Sequence, residues 1–289
     1  MKIDPIHAEF GARVSGVDLS RPLDQPTFAQ IDAAINGYSW LLFENQQMND
    51  ATHLDFTRRF GELEEEHVAY YGRGKITYIG LVGNVDADGN KVAPRRVNSA
   101  TGNEMWHSDS SFREIPAMYS ILCAYEVPNE AGETEFASAR AAYLRLDRAT
   151  RDRINDRIGI HDYIYSRTKV SEDAVNLSQR IYMHPVRQRL VRQNPVIGDK
   201  NLFVGSHVKA IEGMPDSDAK PLIEGLINEV TRAESVYRHS WQVGDLVIWD
   251  NRCILHRGCG YDADRYRRRM HQTRVRGQCP SIAEALDPD

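Results

Sequence analysis

His107 and Asp109 stand two residues apart in Asn103-Glu104-Met105-Trp106-His107-Ser108-Asp109-Ser110-Ser111-Phe112. On an extended strand, residues i and i+2 point to the same face, so an imidazole and a carboxylate would sit side by side. The bland account of such a pair is a histidine hydrogen-bonded within a turn. It becomes a demand on the whole chain once a third donor is sought. The candidate is His256, far downstream, in Gly244-Asp245-Leu246-Val247-Ile248-Trp249-Asp250-Asn251-Arg252-Cys253-Ile254-Leu255-His256-Arg257. A fold that unites the three must carry a C-terminal apolar strand back onto the middle of the chain.

Two histidines and one carboxylate on one side of a metal ion leave its other positions open. That is the facial arrangement of non-heme Fe(II) oxygenases. A His-x-acid pair alone is weak evidence, and the chain holds rivals. His53-Leu54-Asp55 falls in a predicted helix, where i and i+2 face different ways. His7-Ala8-Glu9 has no remote histidine in matching context. His239 alternates with apolar neighbours and reads as exposed or hydrogen-bonded, His184 precedes a proline, and His271 is a pocket or surface group. Two other classes stay open on the residues alone. A zinc hydrolase could use the same three donors with a bound water, and in a non-catalytic binding module they would be structural.

The length of 289 residues suits one large sheet-rich domain, and 41% hydrophobic residues can fill its core. A net charge of −5 offers no basic surface for nucleic acid, and the one basic run is Arg265-Tyr266-Arg267-Arg268-Arg269. The N-terminal residues form no apolar signal region, and no stretch is long and apolar enough to span a membrane. Cys123, Cys253, Cys259 and Cys279 make no Cys-x-x-Cys pair, which predicts reduced thiols and a cytoplasmic protein.

Residues 11–23 read as a strand and turn, Pro26–Asn36 as a helix ended by Gly37, Tyr38–Phe43 as a buried strand, and residues 49–60 as a helix capped by Asn49-Asp50. Tyr78–Val82, Ala117–Tyr125 and residues 132–137 are strand-like. Ala139–Arg157 predicts one charged helix, Val186–Gln193 and Asn201–Gly205 two strands, Asp216–Arg232 an amphipathic helix, and residues 235–275 a strand-rich block. Gly83–Asn103 has no period and is expected to be a mobile lid, with 280–289 a frayed tail. Strands with helices grouped apart predict a mostly β fold with flanking helices, a jelly-roll-like double sheet whose mouth holds a small-molecule site. Residues 1–289 are then a single catalytic domain.

Arg268 shares a strand face with Met270, Gln272 and Arg274. An inward guanidinium near a metal is costly unless an anion meets it, and its planar fork suits a carboxylate. A dicarboxylic co-substrate could chelate the metal at one end and meet Arg268 at the other, with Thr134 as a second donor. Arg267 and Arg269 read as decoration on an exposed edge strand.

Together these segments resemble the taurine dioxygenase/2,4-dichlorophenoxyacetate dioxygenase family of Fe(II)- and 2-oxoglutarate-dependent oxygenases. The resemblance rests on Gly11-Ala12-Arg13-Val14-Ser15-Gly16-Val17-Asp18-Leu19, Trp106 to Phe112, Gly132-Glu133-Thr134-Glu135-Phe136, Trp249-Asp250-Asn251-Arg252, His256-Arg257-Gly258 and Arg268-x-Met270. Arg140-Ala141-Ala142-Tyr143 and Tyr237-Arg238-His239-x-Trp241 bring it nearest the phenoxyacetate-cleaving branch. It implies a double-stranded β-helix (jelly-roll, cupin-like) core. His107, Asp109 and His256 match the iron ligands, and Arg268 and Thr134 the groups that hold the distal carboxylate of 2-oxoglutarate. Asn103 matches a substrate-lining position, His207 a substrate-facing histidine, and His67 falls near another.

The chain departs from the family at one place. A second arginine often stands four residues after the co-substrate arginine, on an anionic substrate, and here that position is Gln272. Arg274 could take its part; otherwise a substrate anion is held differently or is absent. The resemblance implies hydroxylation of a small organic substrate with Fe(II), 2-oxoglutarate and O₂, decarboxylation to succinate, and ether cleavage where the carbon carries an ether oxygen. Hydroxylation or desaturation of a natural-product intermediate is the alternative. A halogenase is disfavoured, because it would lack the carboxylate of Asp109. A homo-oligomer, dimer or tetramer, is expected.

Overall fold

Period-two alternation sorts the central strands onto two faces at once. In the computed structural model, which describes residues 1–66, 77–92 and 102–285, Leu41, Phe43, Ile121, Cys123, Leu246 and Ile248 pack together in one core. Their immediate neighbours Trp40, Leu42, Leu122, Ala124, Val247 and Trp249 pack in another. Strands buried on both faces need near-continuous apolar sequence, which Leu246–Asp250 and Ala117–Glu126 supply. Each fully buried large side chain contributes roughly 1.5–3 kcal/mol.

Fifteen strands carry the described residues: β1 (Lys2–Pro5), β2 (Ala12–Ser15), β3 (Trp40–Phe43), β4 (Gly80–Gly83), β5 (Ala117–Glu126), β6 (Thr134–Ser138), β7 (Ile158–His161), β8 (Val186–Arg189), β9 (Val191–Gln193), β10 (Lys200–Leu202), β11 (Val208–Ile211), β12 (Val236–His239), β13 (Leu246–Asp250), β14 (Ile254–Gly258) and β15 (Arg269–Arg276). Seven α-helices accompany them: α1 (Gln25–Tyr38), α2 (Asp50–Arg58), α3 (Ala139–Arg145), α4 (Arg148–Ile154), α5 (Tyr163–Thr168), α6 (Leu177–Tyr182) and α7 (Asp216–Val230).

The large sheet has the order β1-β2-β3-β13-β5-β15-β4, antiparallel except for β2 beside β3. A three-stranded sheet, β12-β6-β14, faces it. Phe136 and Ile254 of the small sheet meet Trp40, Leu122 and Trp249 of the large one in the intervening core. Helices α1 and α2 cover the outer face of the large sheet through Ile31, Ile35 and Phe56. Helices α3 and α7, with strands from β9 to β11, cover the outer face of the small sheet around Ala137 and Leu255. Helices on the outside of two facing sheets agree with the architecture expected from the sequence.

Several boundaries differ for identifiable reasons. Helix α1 runs through Gly37 and stops at Ser39, the residue that takes the left-handed conformation, φ 64°. The predicted helix 139–157 is two helices. Leu146 is extended, and Asp147 caps α4 by accepting from the Thr150 amide at 2.7 Å. Strand β15 is not an edge, because it lies between β5 and β4; Arg267 and Arg269 nonetheless turn away from the site and pair with Glu126. The tail is anchored rather than frayed up to Glu284, which pairs with the buried Arg192, while Ser281 is fully buried against Gln188 and the Arg189 amide. Of the expected lid, residues 84–92 form a closed turn, with Asp86 accepting from the Asp88 and Asn90 amides. Residues 93–101 of that lid, and His67, lie outside the described residues.

Candidate metal and co-substrate site

His107 precedes β5, and His256 lies in β14. Their backbones form one antiparallel hydrogen-bonded pair: the His107 amide donates to the His256 carbonyl at 3.0 Å, and the His256 amide donates back at 2.9 Å. Residues opposite one another in such a pair send their side chains to the same face, so the ladder itself delivers the remote histidine. Gly205 makes room on the other side. Its φ is +147°, and a Cβ there would come within 3.2 Å of the His107 Cα. The Ser206 amide donates to the Trp106 carbonyl at 2.8 Å.

Asp109 completes the set. Its Oδ1 lies 3.8 Å from His107 Nε2 and 3.6 Å from His256 Nε2, and one ligand atom from each residue falls within 4.8 Å of the others. His107 Nδ1 lies 2.8 Å from the Met105 carbonyl, which can only accept, so Nδ1 carries the proton and the Nε2 lone pair faces Asp109. Burial, followed by the neighbouring His256, pushes the His107 imidazole down to about 3. Burial alone would raise the Asp109 carboxyl, but His256, His107 and Arg274 hold it well below the usual carboxylate range. Both groups are therefore ready as ligands at neutral pH. Two imidazole nitrogens and one carboxylate oxygen at these separations fit a divalent metal with open positions.

The three donors line a cavity of about 350 Å³. Its apolar walls include Ile79, Leu81, Val82, Leu122 and Trp249, and Arg268 and Thr134 lie in the same wall. Arg268 is only 7% exposed. Its guanidinium has no carboxylate or hydrogen-bond partner among the described residues, and burial pushes it down to about 10 in spite of nearby Tyr261 and Cys259. Gly83, φ +124°, permits the approach that places it: a Cβ there would stand 2.0 Å from the Arg268 carbonyl oxygen. The Arg268 amide donates to Asn84 Oδ1 at 2.8 Å, and Asn84 Nδ2 clasps the Ala263 and Tyr266 carbonyls, both at 2.9 Å. Thr134 Oγ1 accepts from Trp241 Nε1 at 2.9 Å. Its own hydroxyl proton is left to donate.

Asn103 lines the cavity, and its Oδ1 accepts from Arg167 at 2.8 Å. His207 comes close to the triad without reaching the described cavity wall. It is buried among Phe112, Tyr163 and His107, at ring separations of 4.9, 6.2 and 6.2 Å. Arg274 does not take the missing arginine's place. Its Nε donates to Glu64 at 2.9 Å, Nη2 to Glu66 at 2.5 Å, and Nη1 to Gln272 at 2.9 Å. Gln272 lines the cavity and donates to Asp109 Oδ2 at 2.7 Å. The rival His53 is buried in α2, 3.0 Å from the Thr273 hydroxyl, while Asp55 faces outward and pairs with Arg58.

Sequence reasoning missed the residues that seat Asp109. Ser120 of β5 donates to Asp109 Oδ2 at 2.7 Å and accepts from Asn251 at 2.8 Å. Asn251 Oδ1 accepts from Trp249 Nε1 and from the Asp109 amide, and its carbonyl accepts from Ser108. Asn251 stands in a conspicuous Trp-Asp-Asn-Arg run and could have been suspected. Ser120, one small polar residue in an apolar strand, was the only sequence trace of the other contact.

Three metal donors beside a buried cation that meets no carboxylate among the described residues are the equipment of dioxygenases that depend on Fe(II) and 2-oxoglutarate, and this chain is one of that class. It belongs to the Taurine catabolism dioxygenase TauD, TfdA family, which it matches over residues 2–274. An alpha-ketoglutarate-dependent 2,4-dichlorophenoxyacetate dioxygenase of Cupriavidus pinatubonensis is 38% identical over 265 residues, 90% of this chain and 92% of the relative. An (S)-phenoxypropionate/alpha-ketoglutarate-dioxygenase of Delftia acidovorans is 34% identical, covering 98% of this chain and 97% of its own length. The crystal structure of AAD-2, solved in complex with Mn(II) and N-oxalylglycine, is similar with a TM-score of 0.88 at 35% identity, covering 98% of this chain and 99% of that one. No described helix is long and apolar enough to cross a membrane.

Proposed function

We propose that His107, Asp109 and His256 hold Fe(II), that Arg268 and Thr134 hold the distal carboxylate of 2-oxoglutarate, and that the substrate is an aryloxyalkanoate-like acid oxidised at the carbon beside its ether oxygen. The observation that carries the reading is Arg268: a buried cation without a carboxylate or hydrogen-bond partner for its guanidinium among the described residues, in the same cavity as the three donors. Bound Fe(II) and 2-oxoglutarate supply the activation of O₂ that oxidises a C–H bond while the keto acid becomes succinate and CO₂.

The chain's own residues do the rest. The Met105 carbonyl fixes the His107 tautomer, and Arg268 offers two parallel N–H donors to one carboxylate. Trp241 donates to Thr134 Oγ1 and so leaves the Thr134 hydroxyl proton free for the same group. Leu122, Trp249 and Val82 give an apolar wall that favours an aromatic ring and excludes water. Hydroxylation next to an ether oxygen gives a hemiacetal, which collapses to a phenol and a carbonyl fragment. N-oxalylglycine differs from 2-oxoglutarate by one NH in place of a CH₂, so its complex with AAD-2 and Mn(II) supports a 2-oxoglutarate site in this chain.

The same reading treats residues 1–289 as one catalytic domain on a double-stranded β-helix, working in the cytoplasm as a homodimer or homotetramer. The single domain is supported by one core that joins the two facing sheets, with each of the other two cores packed on the outer face of one of them. The test incubates the Fe(II) protein with 2-oxoglutarate, O₂ and a panel of aryloxyacetates, aryloxypropionates and their neutral amides, following succinate and released phenol. Phenol equimolar with succinate, from at least one acid, is expected. Succinate that stays at the substrate-free background across the panel would remove the substrate assignment and leave the reaction class standing.

A further inference from the structure

Asp109 presents two oxygens, and the structure treats them unequally. Oδ1 faces the Nε2 atoms of both histidines. Oδ2 accepts two hydrogen bonds of 2.7 Å, one from the Ser120 hydroxyl and one from Gln272 Nε2. A glutamine amide can turn either end to a neighbour, so its direction is set by what surrounds it. Here both ends are determined. Arg274 only donates, so Gln272 must offer it Oε1, at 2.9 Å. Asp109 as a carboxylate only accepts, so Gln272 must offer it the NH₂. Arg274 is itself held by Glu64 and Glu66, and Glu64 also accepts from the Ser110 hydroxyl at 2.5 Å.

We propose that Gln272 is a positioning residue that keeps Asp109 a one-oxygen metal ligand. Its amide, locked by Arg274, engages Oδ2 and leaves Oδ1 alone for the metal. Chelation through both oxygens would break two short hydrogen bonds and would occupy a coordination position that a bidentate keto acid and O₂ need. The residue standing where the family often carries a substrate arginine is thus turned toward the metal ligand. The inference rests on the reading of Asp109 as a ligand.

The test measures Co(II) and Mn(II) binding to the metal-free protein, without substrate, for wild type, Gln272→Leu, Asp109→Ala and the double variant. Unfolding midpoints of the metal-free proteins confirm that each is folded. Gln272→Leu is expected to weaken metal binding on the order of 10–100-fold, as loss of a partner to a metal ligand does. It should also alter the visible spectrum of the Co(II) protein, reporting a changed coordination number. In the Asp109→Ala background the same substitution should leave the residual affinity unchanged, because its route of action is gone. An equal loss in both backgrounds would make Gln272 merely structural and overturn the proposal. So would unchanged metal affinity with a raised KM for the primary substrate, which would make Gln272 a substrate contact. A wild-type protein that binds neither ion would fell the ligand reading itself, and the proposal with it.

Discussion

Arg268 shows how one residue can be both an expense to the fold and the reason for the site. Its guanidinium is buried in the cavity wall, and burial depresses it from its ordinary value to about 10. A base with a depressed value keeps its charge below that value and loses it above. Affinity for 2-oxoglutarate in the Mn(II) protein is therefore expected to be flat from about pH 7 to 9, then to weaken as pH rises through about 10, tenfold per unit at the limit for one linked proton. Arg268→Ala should raise the apparent KM for 2-oxoglutarate by roughly 10–100-fold, the value of about 1.5–3 kcal/mol for hydrogen bonds to a charged group, and abolish the pH step. Titration calorimetry at several pH values, with steady-state kinetics, checks both; a wild-type KM in the variant would end the co-substrate role. The burial of this residue was legible in the sequence because strand alternation with Met270 and the family resemblance both pointed it inward. Gln272 was legible only as an oddity, since it acts through Asp109, from a distant stretch of chain, and through Arg274, which Glu64 and Glu66 hold from another.

At the scale of elements, the strands were read well where burial on both faces left no alternative, as in Leu246–Asp250 and Ala117–Glu126. Ends were read less well, because ends are decided by single caps. Asp147, which splits the predicted helix 139–157, carries the same signal as Asp24 at the start of α1: a carboxylate accepting from the amide three residues on. The C-terminal segment failed to announce itself because its hold is tertiary. Glu284 accepts from Arg192 Nε at 3.0 Å, and Arg192 is only 3% exposed in β9. Glu284→Ala leaves a buried guanidinium without its carboxylate, so a loss of roughly 2–3 kcal/mol is expected. For a chain of this size that lowers the melting point by roughly 4–12 °C. Urea unfolding of the two proteins checks it; identical midpoints would return the segment to the frayed tail that the sequence suggested.

For the whole molecule, the position of the site relative to the two sheets matters more than any one contact. His256 belongs to β14 of the small sheet, and His107 is hydrogen-bonded to it as a further backbone rung. Asp109 is held instead by the large sheet, through Ser120 of β5, Gln272 of β15 and Asn251 just after β13. An ion bound by all three therefore ties one sheet to the other across the mouth of the core. A ligand that binds only the folded state stabilises it by about 2.7 kcal/mol at 100 times its dissociation constant. At about 2–4 °C per kcal/mol, saturating Mn(II) or Co(II) should raise the melting point by roughly 5–10 °C, and chelation should reverse the gain. The inter-sheet argument adds a sharper expectation. In Asp109→Ala the two histidines remain, but both sit on the small sheet, so an ion they still bind no longer joins the sheets. Its effect on amide exchange should then be confined to β14 and the His107 segment, whereas in the wild type protection should also rise along β5 and β15. Equal protection of both sheets in the variant would mean that the metal stabilises locally, and that the facing sheets are held by their apolar core alone.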